Sequence, residues 1–213
     1  MAILHQTTLT PGKLELLAAW LPRQPWYRRG PGLPRLDRAG GFRLDDPDGA
    51  VGIEFMVATE TGGGGDQAYL APLTYRGAPL AGQDADRALI GTAEHGVLGL
   101  RYVYDGVRDP VLVRQLIALL NGQVLAQAQR VSDTPDPSVT ARLAGSPIPV
   151  PTALAVTDGA DGTAIAIGSG PVLRVARALA PGDGAAAARG YVEAGWSRPD
   201  GSPVRGPFVT VSQ

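Results

Sequence analysis

The residues with chemistry to offer are few and scattered. Asp45, Asp46 and Asp48 form the densest group of acids. Carboxylates at this spacing can ligate Ca²⁺, or serve as the acid and base that cleave a glycosidic bond. A helix–loop–helix calcium loop needs a longer ligand series ending in Glu, which this stretch lacks. Pro47 and Gly49 lie within the cluster, so it reads as a solvated hairpin turn. Glu54 and Glu60 are a second acid–base candidate. Alternation puts Glu54 on the face opposite Phe55, either exposed or covered by a second, C-terminal domain. His5 and His95 are the only histidines. Two imidazoles without a placed carboxylate make a weak metal site, and they read as structural or surface groups. With no cysteine there is no thiolate nucleophile, disulfide or Cys-ligated zinc. The residues therefore assign no catalytic group, metal site or cofactor.

Two other patterns invite a binding role. Four glycines at 62–65 lie between strand-like runs. A phosphate cradle requires G-x-x-x-x-G-K-[ST] opening a helix, whereas Asp66 follows here, so the run reads as a flexible hairpin tip. Gly168-Ser169-Gly170 is too short for a nucleophile elbow. Between Trp20 and Gly40, Trp26 and Tyr27 stand among Arg23, Arg28, Arg29, Arg35 and Arg38. Aromatic and basic groups together suit a sugar, a phosphate or a single-stranded nucleic acid. The plainer reading is a surface loop pinned to a sheet by Trp26. Trp26, Tyr27, Arg28, Glu54 and Trp196 are the binding candidates, with the aromatic rings as stacking platforms. A balance of 19 basic and 20 acidic residues gives no general pull toward nucleic acid or an anionic membrane. The first residues lack the basic and apolar runs of a signal peptide, and no apolar run is long enough to span a bilayer. The expected compartment is the cytoplasm. The richness in Ala, Gly and Arg, with Lys13 the sole lysine, is that of a GC-rich bacterial genome.

These residues must be positioned by short strands and two helices. From Gly40 to Gly77 three extended runs are separated by turns. Phe42 and Leu44 alternate in the first. Val51, Ile53, Phe55 and Val57 share one face of the second, which runs to Thr59. The third, from Ala68 to Arg76, contains Pro72, which predicts an edge strand or an N–H side facing solvent. Thr10-Pro11 is expected to open a helix carrying Leu14, Leu17, Ala18 and Leu21 and ending at Pro22. Asp109-Pro110 opens a second, with Val113, Leu116, Ile117 and Leu120 on one face and Asn121-Gly122 as its stop. Further strands are expected at 2–8, 88–92, 96–104 and 123–131. The proline-rich stretch 132–151 reads as a linker. Short strands at 152–157, 163–167, 172–178, 190–196 and 207–211 follow, separated by Gly/Asp turns.

The segments GFRLDDPDGAVGIEFMVAT, YLAPLTYRGAPL, LIGTAEHG and VYDGVRDPVLVRQLIALL, in this order, resemble the N-terminal cap domain of bacterial maltokinases, as does the early WLPRQPWYRRG. The resemblance implies an α+β fold, a cystatin-like unit in which a helix packs on a curved antiparallel sheet, followed by a β-rich C-terminal region. The expected organisation is a cap-like domain at 1–131, a linker at 132–151 and a small β-rich region at 152–213. In that family a kinase body follows the cap and uses ATP and magnesium to phosphorylate maltose. Here no His-x-Asp with a following Asn succeeds the cap-like region, and no lysine follows Arg130. The resemblance implies a non-catalytic accessory or interaction protein of bacterial α-glucan, trehalose or maltose metabolism, binding a sugar-metabolism enzyme through its sheet, or binding α-glucan itself. A carbohydrate-binding module and an α-glucan-acting enzyme using Asp or Glu are the alternatives.

Overall fold

The computed structural model describes residues 9–28, 32–61, 67–82, 84–129, 131, 133–182 and 188–212. Their secondary structure is β-rich, with thirteen strands in one antiparallel sheet and three α-helices. The central ribbon is β2 (Arg35–Leu44), β3 (Val51–Thr61) and β4 (Ala68–Arg76). The β2–β3 turn is fixed by Asp46. Its carboxylate accepts the backbone N–H groups of Asp48, Ala50 and Val51 at 3.2, 3.0 and 3.0 Å. Asp46 is thus a buried staple of the turn, where a solvated acid was expected.

β5 (Leu89–His95) and β6 (Gly99–Asp105) form a hairpin beside β4, and β1 (Leu9–Thr10) borders β5. The remaining strands are β7 (Thr140–Leu143), β8 (Ala155–Gly159), β9 (Gly162–Ala166), β10 (Val172–Val175), β11 (Ala178–Leu179), β12 (Gly190–Ser197) and β13 (Pro203–Ser212). They continue the sheet past β2 in the order β12, β13, β10, β9, β8, with β7 on β12. Gly40 and Gly41 make the junction. Gly40 pairs with Trp196, and a Cβ at Gly41 would fall 1.9 Å from the Phe55 carbonyl oxygen at a φ of +121°. β11, two residues beyond β10, then pairs with β4 through Ala178↔Tyr69 and Leu179↔Ala68. The hydrogen-bonded path through β4, β3, β2, β12, β13 and β10–β11 therefore returns to its start.

Pro72 does not mark an edge, because β4 has neighbours on both sides. It falls between the pairing to β11, at 68–69, and the pairing to β6, at 73–76. No ladder bond is lost at that gap.

Both faces of the ribbon are covered. On one, Phe42, Phe55 and Val57 join Trp196, Phe208 and Val209 in the main core, and Phe42 stacks on Phe55 at 4.6 Å. Helix α3 (Pro110–Leu120) lays Leu112, Val113, Leu116, Ile117 and Leu120 into this core. It begins at the expected cap, where Asp109 accepts the Val111 N–H. On the other face Met56, Tyr69 and Leu73 pack against Leu17, Trp20, Leu21 and Trp26. Leu17 and Trp20 belong to α1 (Lys13–Trp20). Its N-cap is Gly12, whose N–H bonds Glu15 at 2.7 Å, because Thr10 is engaged with β5. A 3-10 turn, Leu21–Arg23, carries Pro22 beyond the α-helix end. The third helix, α2 (Ala85–Ala88), is a single turn in the expected charged loop. The strand expected at 123–131 is not formed: Gln127 makes only isolated bridges to Arg43 and Pro135. The 2–8 strand and the 62–65 glycine run lie outside the described residues.

Candidate functional site

The sequence candidates separate onto two faces. Trp26, Tyr27, Arg28 and Glu54 belong to the α1 side of the ribbon, whereas Trp196 lies in the main core. Trp26 is 1% exposed and meets Trp20 edge-on at 5.5 Å. Trp196 is 5% exposed and tilted against Phe208 at 6.0 Å. A sugar-stacking platform needs an open ring face. Both indoles are enclosed, so the expectation of platforms at Trp26 and Trp196 is corrected. Tyr27 is half-buried, 5.4 Å from Tyr69, and donates its hydroxyl to Glu60. Arg28 is exposed and donates its backbone N–H to the Tyr69 hydroxyl. Trp26 does pin this segment against Met56 and Tyr69 of the sheet, but from Arg35 the expected loop is strand β2, and Arg38 pairs with Glu54 at 3.0 Å instead of standing in solvent.

Glu54 sits under α1, not under a C-terminal domain. Its Oε2 accepts Lys13 Nζ at 2.6 Å and Tyr75 Oη at 2.7 Å. Its Oε1 accepts Arg38 Nη2 at 3.0 Å and Gln129 Nε2 at 3.1 Å. Burial pushes this carboxyl up, but Lys13 and Arg38, with the Tyr75 hydrogen bond, overcome it and hold it below the ordinary glutamate value. Burial and the Glu54 charge together raise the Tyr75 phenol well above its usual range. A general acid must carry a proton near neutrality, and a general base needs an oxygen free to reach substrate. Glu54 meets neither condition. It anchors the N-terminal helix to the sheet.

A second polar centre was not legible in the sequence. Arg177, wholly buried between β10 and β11, gives Nη2 to both oxygens of Asp105 at 2.8 and 2.6 Å and Nε to Thr163 at 2.8 Å. Thr163 donates to Asp158, which also receives Arg108 Nη2 at 2.5 Å. The Arg177 guanidinium lies 5.0 Å from the Trp26 ring centroid. Burial outweighs Arg177 at Asp105 and raises its carboxyl. At Asp158 burial is outweighed by Thr163 and Arg108, and its carboxyl is lowered. Asp105 and Asp158 read as turn residues because each precedes a glycine. Partners up to 72 positions away leave no local mark. This set closes the circuit of strands, and Thr163 also lines a cavity of about 420 Å³ over β8, β9, β10 and β13.

Two surfaces within or beside the cap-like strands are open. At the tip of the β5–β6 hairpin Val97, Leu98 and Leu100 are 63%, 45% and 43% exposed. The alternation of Leu98, Leu100, Tyr102 and Tyr104 predicts one apolar face, of which only the Tyr104 end is buried. His95 Nδ1 accepts the N–H groups of Val97 and Leu98, so this histidine organises the turn. His5 lies outside the described residues. No group of three His, Cys, Asp or Glu capable of holding a metal occurs among the described residues. The second surface is a cavity of about 420 Å³ between the Asp45–Pro47 turn and α3.

Residues 20–109 span the antiparallel strands β2 to β6 and the one-turn α2, with α1 and α3 flanking them in sequence. Those residues match the family model of the maltokinase N-terminal cap domain. The chain thus carries a maltokinase-cap-like region, as the ordered sequence segments imply. No curated protein matches the chain. Among the described residues no helix is long and apolar enough to cross a membrane.

Proposed function

We propose that this chain is a non-catalytic accessory protein of bacterial α-glucan, trehalose or maltose metabolism, which engages a sugar-metabolism enzyme through the β5–β6 hairpin of its cap-like region. The observation that carries the reading is the exposed Val97–Leu98–Leu100 tip, which lies inside the segment matching the maltokinase cap. Partner binding through a sheet face, the simplest expectation for a cap, is disfavoured because α1 and α3 occupy the two faces. Three apolar side chains on a two-strand projection offer an anchor that can insert into a partner's pocket. The fates of the acids support a binding role over catalysis. Glu54 and Asp46 spend their oxygens on internal donors, and Glu60 accepts Tyr27.

The test uses a maltokinase from the same organism as the immobilised partner. Binding of the full chain is measured by interferometry, alongside a variant carrying Val97→Asp and Leu98→Asp. A loss of affinity of at least tenfold, with an unchanged melting temperature, is expected, since hot-spot losses exceed about 1.4 kcal/mol. Absence of binding by the full chain, or equal binding by the variant, overturns the reading.

A further inference from the structure

Beyond the central ribbon, β8, β9, β10 and β13 turn one face to the main core and leave the other to solvent. Thr163, Val175 and Val209 lie side by side on the inner face and are buried. One position along, the register sets out the outer face. Thr210 of β13 is opposite Arg174 of β10, Arg174 is opposite Ala164 of β9, and Ala164 is opposite Thr157 of β8. A cavity of about 420 Å³ hollows this face. Arg174 rises beside it from β10, and Asp161 from the β8–β9 turn. They are the only charged side chains in its lining, and they are opposite in sign. Both are exposed, and among the described residues neither side chain has a hydrogen-bond or ion-pair partner. Arg205, further back on β13, is by contrast held within the chain by Thr140 and the Ser138 carbonyl.

We propose that this outer face pairs with the same face of a second copy of the chain about a two-fold axis. Under such an axis a surface meets itself, so each Arg174 faces the partner's Asp161 and both charges are matched at once. A face of one sign would repel its own copy. A partner of unlike sequence would need the same two charges in reversed order, which a second copy supplies by symmetry. Shape agrees with charge. Gly159, Gly162, Ala164 and Ala176 keep the floor low, so the long arginine of one copy can lie in the hollow of the other. Thr157 and Thr210 bring hydroxyls that donate and accept, and they can bond across the axis. Four strands about 4.8 Å apart make a face smaller than the roughly 800 Å² per partner of a standard interface. The association is therefore weak, reversible and dependent on concentration.

The face shares no residue with the β5–β6 hairpin, so it stands or falls apart from the partner reading. The test is analytical ultracentrifugation of the full chain from about 10 μM to about 1 mM, a range that brackets weak association. The average mass should climb toward that of a dimer, and added salt should reverse the climb. Arg174→Asp and Asp161→Arg each set like charges against one another across the axis, and each should weaken the dimer at least tenfold. Arg174→Asp combined with Asp161→Arg exchanges the signs and should restore it. All three variants alter exposed side chains and should keep the wild-type melting temperature. Val97→Asp with Leu98→Asp should leave the dimer unchanged. A chain that stays monomeric throughout overturns the proposal and leaves the face to an unlike partner or a small ligand. A dimer indifferent to the single variants, or not restored by the exchange, overturns it too. Loss of the dimer in the hairpin variant alone would assign the self-association to the hairpin tip instead.

Discussion

Glu54 and Asp105 are both buried carboxylates facing arginine or lysine, yet their carboxyls are displaced in opposite directions. The difference lies in what surrounds them. Glu54 collects four donors, and its two cations keep about a third of their side chains in water, 35% for Lys13 and 31% for Arg38. Asp105 has one close cation, and that arginine is itself sealed at 0% exposure. A buried ion pair is therefore no single kind of object. Where the cations stay partly solvated and the donors are many, the charged form is favoured. Where both partners are desolvated, the attraction does not repay the loss of water. The first arrangement fastens a helix to the outside of the sheet. The second locks the point at which the circuit of strands closes.

The sharpest way to break this comparison is Arg177→Leu. It leaves Asp105 buried without a counter-charge, which costs about 3–5 kcal/mol at neutral pH. Asp105 already sits above its ordinary value, so in acid it takes up a proton and the unpaired charge disappears. The destabilisation measured by urea unfolding should therefore be large at neutral pH and smaller in mild acid. An equal cost at both would show that Asp105 is not the charge Arg177 neutralises. A smaller loss is expected for Glu54→Gln, about 1–3 kcal/mol, because Lys13 and Arg38 can turn back to solvent. The sign of its pH dependence follows from a folded carboxyl held below the value of 4.5. The stability it contributes is present above that value and is lost as pH falls through the depressed folded value. The variant should lack this acid loss, so wild type and variant should converge on acidification. Parallel curves would mean that Glu54 is not ionised in the fold.

What could be read in the sequence was local. Asp109-Pro110 and Asn121-Gly122 bracket α3 at the residues observed, because cap and stop act within one turn. Val51, Ile53, Phe55 and Val57 share the core face, because period two is a property of the strand itself. The cap-like region was legible as an ordered series of segments. Long-range partnerships were not. Nothing beside Glu54 announces Gln129, and nothing beside Arg177 announces Asp105. Trp26 and Trp196 looked like platforms because a sequence reports a ring but not what covers it. Thr10 has the chemistry of a helix cap, but a strand neighbour claims it first. The cavity at Asp45 was invisible because its walls come from three stretches brought together only by the docking of α3.

The smallest expected effect sharpens the comparison from the other side. Val97→Ser with Leu98→Ser alters two apolar side chains outside both cores, in a turn whose backbone is held by the His95 ring. Surface changes away from caps, cores and buried charges shift stability by no more than about 0.5 kcal/mol. The double variant should unfold at the wild-type urea midpoint. Its behaviour differs from Arg177→Leu because neither side chain supplies a partner to any buried group. Exposed apolar side chains at a hairpin tip also favour self-association, so the serine variant should remain monodisperse at higher concentration in light scattering. A loss of more than about 1 kcal/mol would show instead that the tip folds back against the body and contributes to its packing. In that case the hairpin would belong with Glu54 and Arg177 among the elements that hold the structure, and it would no longer be the surface left free to meet a partner.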